Sequence, residues 1–240
     1  MGHIELAVGG ARVAFTDRHG GVSAAPYDTA NLGLATGDDA DAVGENRRRV
    51  SDALGGSAGD PARWAWARQV HGADVVEPTG PGRAGDADAL VTDRPDLPLL
   101  VLVADCAPVA LVGSDVVAAV HVGWRGLLAG VVPASVEVVR RRAPGRVHAV
   151  VGPCISPAHY EFGGEELERV VGRVGPEVRA RTGDGAPALA LRAGIHAALA
   201  AAAVDERIDV DVCTYASPDH FSHRRDGITG RQALVVTRES

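Results

Sequence analysis

The segment Leu97–Gly126, LPLLVLVADCAPVALVGSDVVAAVHVGWRG, decides how this 240-residue chain is read. Two apolar runs, Leu99–Val103 and Val109–Val112, bracket the turn ADCAP, and a third, Val116–Val122, ends at the turn GWRG. None of the three alternates polar with apolar residues and each is bounded by turn formers, which predicts short strands buried on both faces. ADCAP places Cys106, and the end of the third run places His121, where a buried strand meets a turn. Upstream, RQVHGADVV puts His71 in the same setting. Two imidazoles and a thiolate can ligate one zinc ion, and three protein ligands leave the fourth tetrahedral position open for chemistry.

Outward from this segment, strand-like runs occur at Arg12–Phe15, Trp64–Val70, Val75–Val76, Ala89–Thr92, Val147–Val151, Ile208–Cys213 and Ala233–Thr237. Helical patterns mark Asp41–Leu54, closed by Gly55 and Gly56, then Glu165–Val174 and the alanine-rich Leu189–Val204. LLAGVVPASVEVVRRR reads as a further helix in which Pro133 marks a kink or a delayed start. Strands and helices mix without a βαβ rhythm or an internal repeat. This predicts an α+β architecture around a buried sheet core, with no domain boundary.

Composition narrows the function. A hydrophobic share of 46% is enough for a full core. The formal charge of −7 argues against a nucleic-acid partner, which needs a basic stripe. Lysine is absent, so anion recognition falls to the 24 arginines, backbone N–H groups or a metal. Three scattered cysteines and an N-terminus without a charged leader and apolar core point to the cytoplasm. No apolar stretch is suited to crossing a membrane.

Arg125 follows His121 by four residues and offers a bidentate fork to phosphate or carboxylate if Trp124 and Gly126 turn the chain back. Its alternative is a surface arginine beside a core tryptophan. Arg47, on the predicted helix, can serve likewise, although most arginines in such a run are solvated. Asp105, beside Cys106, is either a proton shuttle or a brace for the turn. His220 and His223 suit a metal only on a regular helix, which Pro218 and Gly227 disfavour. The signatures of zinc deaminases, zinc peptidases, serine hydrolases and dinucleotide-binding folds are missing. Two alternatives stay open: a metal-free cysteine hydrolase in which Cys106 attacks, and a non-enzymatic protein whose zinc is closed by Cys154 or Cys213. The expectation is that neither sulfur closes it.

HGGVS, YDTANLG, ENRRR, QVHG, ADC, HVGWRG, GPCI, CTY and FSHRRDG with TGR follow in this order from about Ala14 onward. They resemble the bacterial peptidoglycan-editing factor family, also described as the laccase-domain or purine nucleoside phosphorylase family and formerly as multicopper polyphenol oxidase. HVGWRG departs visibly, with Val122 in place of the usual alanine. The resemblance implies a four-layer α/β/β/α sandwich, shared with a cysteine-hydrolase-like bacterial toxin, built by residues 1–240 as one domain. It implies His71, Cys106 and His121 as zinc ligands and, with Arg125, as catalytic residues. Arg47, Asn31, Gln69 and Arg225, from its motifs, are candidate substrate contacts.

The implied partners are purine nucleosides and inorganic phosphate. Adenosine or inosine would be split to free base and ribose 1-phosphate, and some members deaminate adenosine or accept methylthioadenosine. Bacterial members are also linked to removing wrong amino acids from a UDP-muramyl peptidoglycan precursor. Zinc is the expected cofactor rather than copper, because a multicopper enzyme needs a histidine cluster and the nine histidines here include no H-x-H pair.

Overall fold

In the computed structural model, which describes residues 1–204 and 206–239, the apolar runs of Leu97–Gly126 pass from one β-sheet to another. The chain begins with β1 (His3–Val8), β2 (Ala11–Thr16), α1 (Ala40–Leu54), β3 (Ala65–Arg68) and β4 (Val75–Val76). It continues through β5 (Gly82–Asp86), β6 (Ala89–Thr92), β7 (Leu99–Val103), β8 (Ala107–Val112) and β9 (Val117–Val122). Then come α2 (Trp124–Ala129), α3 (Val131–Arg142), β10 (His148–Val151), α4 (Gly164–Val174), β11 (Arg179–Arg181) and β12 (Pro187–Leu189). Last are α5 (Leu191–Ala201), β13 (Glu206–Asp209), α6 (His223–Asp226) and β14 (Gln232–Arg238).

The first sheet has the order β1-β2-β14-β7-β3-β5 and the second β13-β10-β8-β9-β6-β4. Each mixes parallel with antiparallel pairs, so the fold is α+β with two mixed sheets. Val13, Phe15, Leu99, Val101 and Leu234 of the first sheet share one buried cluster with Leu90, Val112, Val117 and Val150 of the second, so the sheets face each other. The opposite face of the second sheet, with Val109 and Val120, is covered by Val136 of α3 and Ile195 of α5. Leu100 and Val235 on the opposite face of the first sheet pack with Val50 and Leu54 of α1 and with Trp64. Burial on both faces is why every residue of β8 and β9 is buried and why their sequences never alternate.

Three local expectations change. Residues 127–142 do not form one helix: Gly130, at φ 92°, ends α2, and Pro133 sits in the first turn of α3, where its missing N–H leaves no helix bond unmade. The strand expected at Ile208–Cys213 stops at Asp209, because Val212 N–H turns back onto the Val210 carbonyl at 2.8 Å; Cys213 keeps only an isolated bridge to Cys154. The helix expected over Leu189–Val204 starts at Leu191, since Leu189 ends β12 and Ala190 N–H bonds the Val178 carbonyl.

Three connections lead from the first sheet to the second: β3 to β4, β5 to β6 and β7 to β8. They carry residues 69–74, 87–88 and 104–106, and they converge at one end of the sheets.

Candidate metal centre

The crossings contribute His71, Asp88 and Cys106, and β9 adds His121. The ligand atoms of His71, Cys106 and His121 all lie within 4.8 Å of one another, and no other such group is found among the described residues. Cys106 Sγ is 3.9 Å from His71 Nε2, and the two imidazoles meet edge-on with centroids 4.8 Å apart. His121 is buried, Cys106 half-buried and His71 exposed, so the group opens on one side.

Asp88 holds this arrangement from a fully buried position. Its Oδ1 accepts the Nδ1–H of His121 at 2.7 Å and the backbone N–H of His71 at 2.9 Å. Its Oδ2 accepts the N–H groups of Gly72 at 2.7 Å and Val70 at 3.2 Å. An ionised carboxylate only accepts, so His121 carries its proton on Nδ1 and leaves Nε2 for the Cys106 side. Aiming three successive N–H groups at one carboxylate needs a tight turn, and His71 adopts φ 60° to make it. Asp105 is likewise held at φ 87° beside Cys106. Such backbone costs about 1–3 kcal/mol per residue and persists where surrounding bonds enforce it. Gly123 completes the fit: a Cβ there would stand 2.9 Å from His71 Cδ2 and 3.0 Å from Cys106 Sγ.

Burial alone would raise the Cys106 thiol, but the charges and hydrogen bonds of His121 and His71 together bring it down to about 6. His121, which burial would push down, is held up at about 9 by the thiolate and by Asp88. Thiolate and two oriented imidazoles form a donor set that fits a borderline-soft divalent ion.

A family model described as multi-copper polyphenol oxidoreductase laccase matches residues 12–239. The chain belongs to this laccase family. It is 48% identical over 236 residues to a purine nucleoside phosphorylase of Streptomyces coelicolor, covering 95% of this chain and 96% of that protein. A purine nucleoside phosphorylase of Escherichia coli, YfiH, is 38% identical over 95% of this chain and 93% of its own length. Among solved structures, YlmD from Geobacillus stearothermophilus superposes with a TM-score of 0.89 at 32% identity, over 96% of this chain and 93% of that one.

In this member of the laccase family, the four candidate substrate contacts use their polar atoms on the protein itself. Asn31, fully buried, donates to Asp38 and Thr36 at 2.9 Å each and accepts from the N–H groups of Arg231 and Gly33. Arg47 donates twice to the Leu32 carbonyl, at 3.0 and 2.8 Å, and burial lowers it to about 10. Gln69 exchanges two bonds with the backbone of Leu102, at 2.7 and 2.8 Å, fastening the His71 turn to β7. Arg225 gathers the carbonyls of Thr214, Tyr215, Ser217 and His220. All four brace loops around the centre.

Arg125 is exposed at the start of α2, its guanidinium 4.4 Å over the Trp124 ring. Asp105 is a brace rather than a shuttle: Oδ1 accepts Thr214 Oγ1 and Oδ2 accepts Arg224 N–H, each at 2.6 Å. His220 bonds Ser217 and His223 bonds the Gly227 carbonyl, so the pair is engaged locally. Cys154 and Cys213 lie outside the ligand group; burial pushes the Cys154 thiol up to about 11. Sequence reasoning misses Asp88 altogether. One signal points to it: like Asp105 ahead of β8, it is an acid at the mouth of a buried strand.

Proposed function

We propose that this chain is a purine nucleoside phosphorylase that splits adenosine or inosine with inorganic phosphate, using zinc held by His71, Cys106 and His121. The observation that carries the reading is near full-length likeness to proteins of that name. The His–Cys–His group supports it chemically, since a bound zinc ion would supply a fixed positive centre for a phosphate oxygen or the departing purine. In the reaction, a phosphate oxygen bonds to ribose C1′ as the bond from C1′ to the purine nitrogen breaks, and that electron pair leaves with the base. Asp88 orients His121 and holds the His71 turn, while Arg125 offers parallel N–H donors to the phosphate. Asn31, Arg47, Gln69 and Arg225 keep the surrounding loops in register.

The same reading takes residues 1–240 as one domain. Helices packed outside both facing sheets support a four-layer α/β/β/α sandwich of the cysteine-hydrolase-like toxin kind. Adenosine deamination, methylthioadenosine cleavage and editing of a UDP-muramyl peptide are further activities that the resemblance offers, and no residue described above argues for them separately. A multicopper centre needs more ligands than one three-residue group supplies. The lowered Cys106 thiol beside His121 favours a second reading, a metal-free cysteine nucleophile.

Zinc-loaded protein is expected to release hypoxanthine from inosine only with phosphate present, and Cys106→Ala to lose roughly a hundredfold or more in turnover. Release without phosphate, or unchanged turnover in the variant, would refute the assignment.

A further inference from the structure

A row of rings begins at Trp124, three residues beyond His121. The Tyr160 and Phe162 centroids are 5.6 Å apart, and those of Phe162 and Trp124 5.2 Å. An arginine lies over each end, Arg224 at 5.0 Å from the Tyr160 ring and Arg125 at 4.4 Å from the Trp124 ring. Arg224 is tied to the ligand turn itself. Its backbone N–H bonds Asp105, the neighbour of Cys106, and its Nη1 donates to the Glu161 carbonyl at 3.0 Å.

These two guanidiniums differ from the exposed arginines that are held in ion pairs. Arg48, Arg68 and Arg179, for example, each face a carboxylate. Among the described residues, neither Arg125 nor Arg224 meets one, and the Tyr160 hydroxyl has no hydrogen-bond partner. Burial, reinforced by the Cys106 charge, pushes the Tyr160 phenol up, while Arg224 and Arg125 pull the other way. The Tyr160 ring lies directly under Arg224 and two ring steps along the row from the ring that carries Arg125. Planar donors stacked on rings lose little freedom when they grip an oxyanion, and this chain has no lysine to do so.

We infer that Arg224, Tyr160 and Arg125 form an oxyanion subsite beside the His71–Cys106–His121 group, which takes a phosphate as inorganic phosphate or as the phosphomonoester of a sugar. The choice of phosphate over other oxyanions rests on the phosphorolysis reading. Arg224, rather than the adjacent Arg225 of the same motif, is then the residue that meets substrate.

The test is equilibrium binding of inorganic phosphate and, separately, ribose 1-phosphate to the full chain with and without added zinc. Arg224→Met is expected to weaken binding of at least one of them about tenfold or more, and Tyr160→Phe about twofold to fivefold. Arg224→Lys should recover part of the loss, with zinc content and unfolding midpoint unchanged in all three. Loss confined to one ligand assigns the subsite to that source. Affinity for both ligands within twofold of wild type in Arg224→Met, or no binding by wild type, would overturn the subsite. Wild type that binds phosphate through Arg224 but leaves inosine intact would instead overturn phosphorolysis and keep the subsite.

Discussion

Two sets of polar residues carried by the chain's motifs are built in opposite ways. Arg47, Gln69 and Arg225 bond backbone groups of neighbouring loops, and Asn31 donates to Asp38 and Thr36 while accepting from the N–H groups of Gly33 and Arg231. His71, Cys106 and His121 instead turn their ligand atoms toward one another with a side open to solvent. Asp88 belongs to both, since four donors end on its carboxylate while one of them, His121, belongs to the open set. The difference teaches that motif membership does not separate ligand from brace; the direction of the free valence does.

The comparison breaks most sharply at Asp88. Asp88→Asn replaces one acceptor oxygen by a donor facing donors, and it is expected to lower metal affinity about 10- to 100-fold. Unfolding free energy should fall by about 3 kcal/mol in the same variant. Chelator competition and urea unfolding measure the two losses, and unchanged metal affinity would reduce Asp88 to a packing role. Arg225→Leu sharpens the contrast from the other side. Freeing four loop carbonyls should cost about 2 kcal/mol, because solvent can reach some of them. Metal affinity should stay within about twofold, and a larger drop would move Arg225 from brace to site.

Much of this is legible in the sequence, for identifiable reasons. Leu99–Val103 and Ala89–Thr92 match observed strands because burial on both faces leaves continuous apolar runs, and Val75–Val76 matches as a half-buried edge strand. Strand order is not legible. β14 inserts between β2 and β7, a pairing across more than 200 residues that no local pattern encodes. β5, GRAGD, carries no apolar signature, and most of β1 is not buried. Of the three candidate ligands, Cys106 and His121 stand out because each sits beside a buried apolar run, whereas His71 follows the unburied Arg68, Gln69 and Val70 and is marked only by its place at a strand-to-turn junction. Asp88 is one of 31 acidic residues and gains its role only when β3, β5 and β9 meet. Arg224 and Arg225 are adjacent in a single helical turn, and only tertiary contacts distinguish them: Arg224 N–H bonds Asp105 and its guanidinium lies over Tyr160, while Arg225 gathers four loop carbonyls.

The central claim is that the free valence of the trio belongs to a metal, and alkylation of Cys106 tests it most directly. In metal-stripped protein, His121 and His71 hold the thiol at about 6, so the thiolate, which is the reactive form, accumulates at lower pH than in free cysteine. The iodoacetamide rate at Cys106, followed on its own peptide, should rise with pH to a midpoint of about 6 and level off above, rather than near the ~8.5 of an unperturbed thiol. One equivalent of zinc should suppress that rate across the whole range by taking the thiolate as ligand. Alkylation at the same rate with zinc present would contradict the metal centre and leave Cys106 as a free nucleophile.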